Sequence, residues 1–318
     1  MNRYRYILFD LSVIRCDLMT DIDVSKRFER IAQKKAKLDS KRPLPKDAVR
    51  NLRDEIRLLH TYHSNAIEGN TLTLRETKLV IEEGITIGGK SLREHLEATN
   101  TAKAFDLMEE LVKDRKKINQ EIIQQIHEVV TRGIMEGGKY RIQNVKITGV
   151  RKTPPDFSKV PRLIDVLISN MKKGNPIEEA ALLHHRLVEI HPFTDGNGRV
   201  ARLLTNLYLM REGYPPIVLK KEDRKKYYGS LRSADGGNLK PFTEFIARAV
   251  DESLTLYLSI FGGEDRLVPL SELAGLYSQE YLSLRARQGR LDGVKINGIW
   301  HSTQRALEDY KRELLKER

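Results

Sequence analysis

Apolar residues recur at three- and four-residue spacing through Leu107 to Val112, Ile118 to Val130, Leu163 to Met171, Ala180 to Ile190, Leu203 to Met210 and Phe242 to Ile260. That period lays one oily stripe along each segment and predicts amphipathic helices packed stripe to stripe. Two-residue alternation, the mark of a half-buried strand, is rare. Its clearest instance is Val145-Lys146-Ile147, after Gly137-Gly138 and ahead of Gly149 and Pro154-Pro155, where it predicts a short hairpin projecting from a helical body. With 318 residues, 40% hydrophobic and 31% charged, the chain can bury one large core or two ordinary ones, which excludes a disordered or fibrous protein. The expected class is all-α.

The longest nearly apolar run, Tyr6 to Ile14, is too short to span a bilayer and carries Asp10, so no membrane partner is expected. After Met1-Asn2-Arg3 there is no sustained apolar region with a small-residue cleavage site, which argues against secretion. A single cysteine, Cys16, excludes intrachain disulfides and multi-cysteine metal sites and agrees with a reducing cytoplasm. The net charge of +12 raises the chance of a polyanionic partner. The excess is spread along the chain, however: residues 1–60 hold +6 and residues 264–318 only +1. Its densest run, from Lys34 to Lys46, reads as a solvated helix face or loop.

One segment concentrates chemistry. His191-Pro192-Phe193-Thr194-Asp195-Gly196-Asn197-Gly198-Arg199-Val200-Ala201-Arg202 lies between two helical patterns. Pro192 cannot extend the helix before it, whereas Gly196 and Gly198 let successive backbone N–H groups converge with the first amides of the next helix into an anion nest. Arg199 opens that helix and Arg202 follows one turn later, so both guanidiniums can reach the outer phosphates of a nucleotide. Asp195 is placed to hold a Mg²⁺ bridging phosphate oxygens. His191 can take a proton from an incoming hydroxyl. Phe193 is read as the core anchor of the loop. His63, His184 and His185 have no partner cluster in the sequence and read as ordinary helix residues.

This string resembles the motif of the Fic family, His-x-Phe-x-Asp/Glu-Gly-Asn-Gly-Arg-x-x-Arg, at every defined position. The likeness extends to Leu209 to Pro216, Asp223 to Tyr228 and Pro241 to Ile246, which look like the metazoan endoplasmic-reticulum members, and covers roughly residues 46 to 260. The resemblance implies a Fic helical fold and protein adenylylation, in which AMP passes from ATP to a hydroxyl of a target protein and pyrophosphate leaves. It would make His191 the general base, Asp195 the Mg²⁺ ligand, Gly196, Asn197 and Gly198 the holders of the α- and β-phosphates, and Arg199 and Arg202 the partners of the β- and γ-phosphates. In the kinase-like Doc branch a lysine replaces the second motif glycine. This chain keeps Gly198, which favours AMP transfer. Val145 to Thr153 resembles the flap on which the target segment docks as an added strand. Tyr227 and Tyr228 correspond to residues around adenine, and Asp235 stands where the resembled enzyme has an asparagine, losing the amide's donor.

Upstream, Ser64-Asn65-Ala66-Ile67-Glu68-Gly69-Asn70 resembles the inhibitory motif Ser/Thr-x-x-x-Glu-Gly/Asn of class II Fic proteins. Ser64 and Glu68 share one helix face, with Gly69-Asn70 ending the helix. The family mechanism would pair Glu68 with Arg202, as a bidentate carboxylate, and occupy the γ-phosphate's place until relieved. The same glutamate is implied in a reverse de-adenylylation.

These likenesses divide the chain into an N-terminal extension (1–45), an inhibitory-helix region (46–90), a Fic catalytic domain (91–263) and a small appended module (264–318). Residues 267–310 of that module resemble a helix-turn-helix or winged helix. Ser271 would cap a helix over Glu272 to Leu276, a second helix would run from Gln279 to Arg287, a hairpin would form at Val294 to Trp300, and Ser302-Thr303 would cap a last helix. Arg285, Arg287 and Arg290 would then face DNA. The expected partners are therefore ATP with Mg²⁺, a target protein and DNA, with a homodimer left open. Two alternatives compete: a DNA-binding regulator that uses the pocket as a nucleotide sensor, and an enzyme transferring another nucleotide such as UMP.

Overall fold

The computed structural model describes residues 11–146, 152–171 and 174–316, and these form two compact units. The first runs from Pro43 to Tyr257. It contains helices α2 (Lys46–Ile67), α3 (Leu74–Lys78), α4 (Leu92–Lys113), α5 (Gln120–Thr131), α6 (Val160–Ser169), α7 (Pro176–Ile190), α8 (Asn197–Arg211), α9 (Arg224–Asp235) and most of α10 (Lys240–Ser259). The second combines the described residues up to Arg42, helix α1 (Leu11–Ser40), with those from Leu258 onward. Among the described residues no helix is long and apolar enough to cross a membrane.

Every apolar-periodic segment lies within a helix or ends within two residues of one, because each stripe has a partner to bury against. Helix α8 is nearly buried from Asn197 to Leu209, packed among α2, α4, α5 and α7. Helix starts carry the caps that their first amides require. Ser91 and Glu94 form a reciprocal capping box on α4, Asn119 caps α5, and Asn175 caps α7 ahead of Pro176. Helices α2 and α4 are joined by side-chain bonds: Asn65 Nδ2 donates to the Glu97 carbonyl at 3.2 Å and Thr101 Oγ1 to Asn65 Oδ1 at 3.1 Å.

In the second unit, β1 (Val268–Pro269), α11 (Leu270–Leu273), α12 (Gln279–Gln288), β2 (Val294–Ile296), β3 (Ile299–Ser302) and α13 (Gln304–Lys316) follow one another. The strands make an antiparallel sheet in the order β1-β3-β2, and Asn297-Gly298 supplies the two-residue hairpin turn. Leu270, Leu282, Leu291, Leu307 and Tyr310 form its core with Trp300 against them. Lys37 of α1 bonds Asp265 at 2.6 Å.

One expectation changes here. Ser271 caps nothing: it lies inside α11, which stops at Leu273 because Ala274 turns extended and Gly275 follows. Arg285 stacks 4.8 Å from the Tyr281 ring and donates to Gln288 at 3.0 Å. The hairpin expected at Val145 to Thr153 falls largely on residues 147–151, outside the described residues, while Val145, Lys146, Lys152 and Thr153 are not in strands.

Candidate functional site

The turn between α7 and α8 is built by backbone constraint. His191 ends α7 in the left-handed region at φ 51° and ψ 60°, its N–H donating to Leu187 O at 2.9 Å. For a residue with a Cβ this conformation is strained and persists only where neighbours fix it. Arg141 does so: its backbone N–H donates to Pro192 O at 2.9 Å and its Nε to His191 O at 2.8 Å. Gly196, at φ 78°, makes the second reversal and leads directly into α8. Between the two, Phe193 is fully buried and stacked on His127 with centroids 3.7 Å apart. Gly138 N–H donates to His127 Nδ1 at 3.0 Å, so Nε2 carries the hydrogen donated to Asp195 O at 3.1 Å. Burial lowers the pKa of His127 to about 4, against the pull of that bond, which keeps the ring neutral.

Asn197 staples the loop. Its Oδ1 accepts from Phe193 N–H at 2.9 Å and its Nδ2 donates to Phe193 O at 2.7 Å. The side chain expected at a phosphate is therefore consumed internally, and what Asn197 offers outward is its backbone N–H, with those of Gly198 and Arg199, in the unpaired first turn of α8. Asn197→Ala removes both bonds and leaves two buried backbone groups unpaired. The expected loss is about 2–4 kcal/mol, to be read from urea unfolding of the two chains.

The imidazole of His191 is half-buried, with Nδ1 3.3 Å from Val188 O. A carbonyl only accepts, so Nδ1 carries the hydrogen and Nε2 is the free base. Burial holds the pKa of His191 below its ordinary 6.5, with Arg141 adding to the shift, although Val188, Glu68 and Asp195 oppose it.

Asp195 is an ionised but occupied carboxylate. Burial alone would raise its pKa, yet Arg199, the Gly196 N–H and Arg93 together hold it below the usual value. Oδ1 accepts from Gly196 N–H at 2.6 Å, and Oδ2 is paired with Arg93 from the first turn of α4. Arg93 is steered in turn by Glu97, 3.1 Å from its Nε. Arg199 is 2% exposed, and among the described residues its Nε and Nη1 have no hydrogen-bond partner. Its neighbours are ion-pair contacts only, Glu97 at 3.7 Å and Asp195 at 3.5 Å. Buried donors left in this state favour an anion.

Arg202 is buried and held from α2. Nε donates to Ser64 Oγ at 2.8 Å, and Nη2 donates both to Ser64 O at 2.9 Å and to Glu68 Oε1 at 2.7 Å. The contact with Glu68 is single rather than bidentate: Ser64 takes Nε and shares Nη2, and Nη1 is turned to the Tyr227 hydroxyl. Glu68 caps α2, and its carboxylate lies over the first turn of α8: a Cβ on Gly198 would stand 2.2 Å from Oε1. Gly198→Ala is therefore expected to cost about 1–3 kcal/mol in the native chain and much less when Glu68 is also glycine. Melting temperatures of the four chains of that cycle check this.

Tyr227 is 1% exposed. Its hydroxyl lies 3.5 Å from Arg202 Nη1 and 2.8 Å from His184 Nε2, so this residue belongs to the core and offers a cavity its ring alone. Tyr228 is half-buried, with Arg224 over its ring at 5.0 Å. A cavity of about 400 Å³ brings Glu68, His191, Gly198, Tyr228, His185 and Asp235 together. Asp235, at the end of α9, accepts from His185 Nε2 at 3.0 Å. Among the described residues no group of three or more His, Cys, Asp or Glu side chains is gathered for a metal.

Residues 117–209 match the Fic/DOC family. The Aedes aegypti protein named protein adenylyltransferase Fic is 37% identical over 251 residues, covering 77% of this chain and 50% of that one. A solved structure of Fic-1 from C. elegans superposes with a TM-score of 0.69 at 33% identity, covering 77% of this chain and 74% of that one. The chain belongs to the Fic/DOC family. A Fic-domain-containing signaling protein from Bacteroides thetaiotaomicron also aligns, with a TM-score of 0.67 at 28% identity over 74% of this chain and 98% of that one. The chain spans about half the length of the curated relatives it matches.

In this Fic protein three side chains that reach the site had no signal in the sequence. Arg93 and Arg141 reach the motif from 102 and 50 positions away in sequence. His185 meets Asp235 only once α7 and α9 pack.

Proposed function

We propose that this chain is an autoinhibited protein adenylyltransferase, moving AMP from ATP to a Ser, Thr or Tyr hydroxyl of a target protein and of itself. The observation that carries the reading is a base beside an anion cradle: His191, with its free Nε2, and Gly198 of the first turn of α8 line one cavity, and the next residue, Arg199, is buried with unpartnered donors. In the reaction, the target hydroxyl oxygen bonds to the α-phosphorus as the bond from that phosphorus to the bridging oxygen breaks. The electron pair leaves with pyrophosphate, and the hydroxyl proton passes to His191 Nε2. The N–H groups of Asn197, Gly198 and Arg199 hold the phosphates, and Arg199 and Arg202 take the outer charge; positioning and neutralisation do the rest.

Asp195 fits a Mg²⁺ in the form proteins commonly use, a single carboxylate completed by phosphates and waters. Such an ion would neutralise charge on the triphosphate. Arg93 must leave Asp195 first. Arg93→Ala is accordingly expected to lower the Mg²⁺ concentration that half-saturates ATP binding by about threefold to tenfold, in line with a partly exposed ion pair, measured by calorimetric titration.

The Glu68–Arg202 contact supports the inhibitory role, since the carboxylate holds the guanidinium that would otherwise meet a phosphate. A DNA-binding regulator that only senses nucleotide has no use for a base, and His191 with its fixed tautomer favours the enzyme. We place target docking at Val145 to Thr153 and a cytoplasmic location within the same reading. Mass spectrometry of the purified chain after exposure to mixed NTPs and Mg²⁺ tests it: the expected product carries one AMP on a hydroxyl side chain, and a UMP or phosphate adduct, or none from the Glu68→Gly chain, rejects it.

A further inference from the structure

The cavity that holds His191 and Gly198 is also walled by a pair of groups that the transfer step does not use. His185, 4% exposed on α7, lies with Nε2 3.0 Å from Oδ1 of Asp235, whose side chain is 25% exposed. A carboxylate only accepts, so the imidazole donates to Oδ1. Oδ2 is the oxygen that Asp235 has without this partner, and the carboxyl is held in place from a buried neighbour rather than free to turn.

We propose that His185 is a positioning residue that fixes Asp235 as an acceptor-only contact for the nucleotide base, making the cavity selective for bases with an exocyclic amino group. This rests on the adenylyltransferase reading and deepens it. The amino group of adenine, or of cytosine, gives Oδ2 a donor. The corresponding edge of uracil carries a carbonyl, which sets acceptor against acceptor and leaves the carboxylate without its bond. An amide at position 235 could rotate to suit either edge, whereas a carboxylate locked by an imidazole cannot.

The test uses the full chain carrying Glu68→Gly and measures by calorimetry the affinities for ATP, for purine riboside triphosphate, which lacks only the amino group, and for the CTP and UTP pair. ATP is expected to bind about tenfold tighter than its deaminated analogue, and CTP tighter than UTP by a similar factor, the size of a partly exposed hydrogen bond to a charged group. His185→Phe should shrink both ratios to within about threefold while the analogue's own affinity stays within about twofold, and His185→Gln, which can still donate, should restore them. Asp235→Leu, at the more exposed position, should abolish the ratios even if the phenylalanine variant folds poorly. A merely structural His185 would weaken all four nucleotides together, and unchanged ratios in His185→Phe and Asp235→Leu would overturn the proposal while leaving adenylylation standing. Failure of every triphosphate to bind would overturn both.

Discussion

Glu68→Gly is expected to raise auto-adenylylation by roughly 30- to 100-fold. Removing one partner of a buried, hydrogen-bonded charge pair costs about 2–5 kcal/mol, and each 1.36 kcal/mol is tenfold. The lower end applies here, because Arg202 is 2% exposed but the Glu68 side chain is 36% exposed, and because the contact is a single bond. Once the carboxylate is gone, Ser64 still bonds Nε and Nη2, so the guanidinium stays in place for a phosphate instead of collapsing. Incorporation of labelled AMP with time measures the effect. Equal incorporation by the native and glycine chains would mean that Glu68 is an ordinary helix cap.

His191→Ala, introduced into the Glu68→Gly chain, is expected to lower incorporation by about 10²–10⁴-fold, the usual range for a positioned general base. Nucleotide affinity should hardly change, since the phosphates are bound by α8 and the two arginines. The pH profile provides a second check. Only the neutral ring accepts a proton, and burial holds the pKa of His191 below 6.5. Incorporation should therefore be level across neutral pH and fall only as the pH drops through that lowered value. A profile whose acid limb sits above 6.5 would point to another base.

The periodicity of Leu203 to Met210 and Ala180 to Ile190 located α8 and α7, because a helix buried on one face must repeat its apolar residues every third or fourth position. The loop between them was legible for a similar reason: proline and glycine at Pro192, Gly196 and Gly198 restrict the backbone in ways that other residues do not. Ser64 and Glu68 were readable as a pair, and their meeting with Arg202 is found in the structure, 138 and 134 positions apart in sequence. Pairings set by helix packing were illegible. Nothing about Arg93 marks it as the partner of Asp195, and Asn197 looked like a ligand because an amide's spacing does not reveal whether it turns inward to Phe193 or outward. Ser271 misled because a good capping residue can equally sit inside a short helix when the next turn is broken.

Glu68 sits at the last, capping position of α2, whereas Ser64 lies one turn inside and Asn65 is tied to α4. Unwinding that last turn would withdraw the carboxylate without sliding the helix, but it would also draw the fully buried Ile67 out of the core and break the bonds of its carbonyl with Arg224 and of Asn70 with Glu94 and Glu97. On the proposed reading, whatever relieves the brake must therefore also undo the anchoring of Asn70 and Thr71 on α4, which ties the latch to the body of the unit.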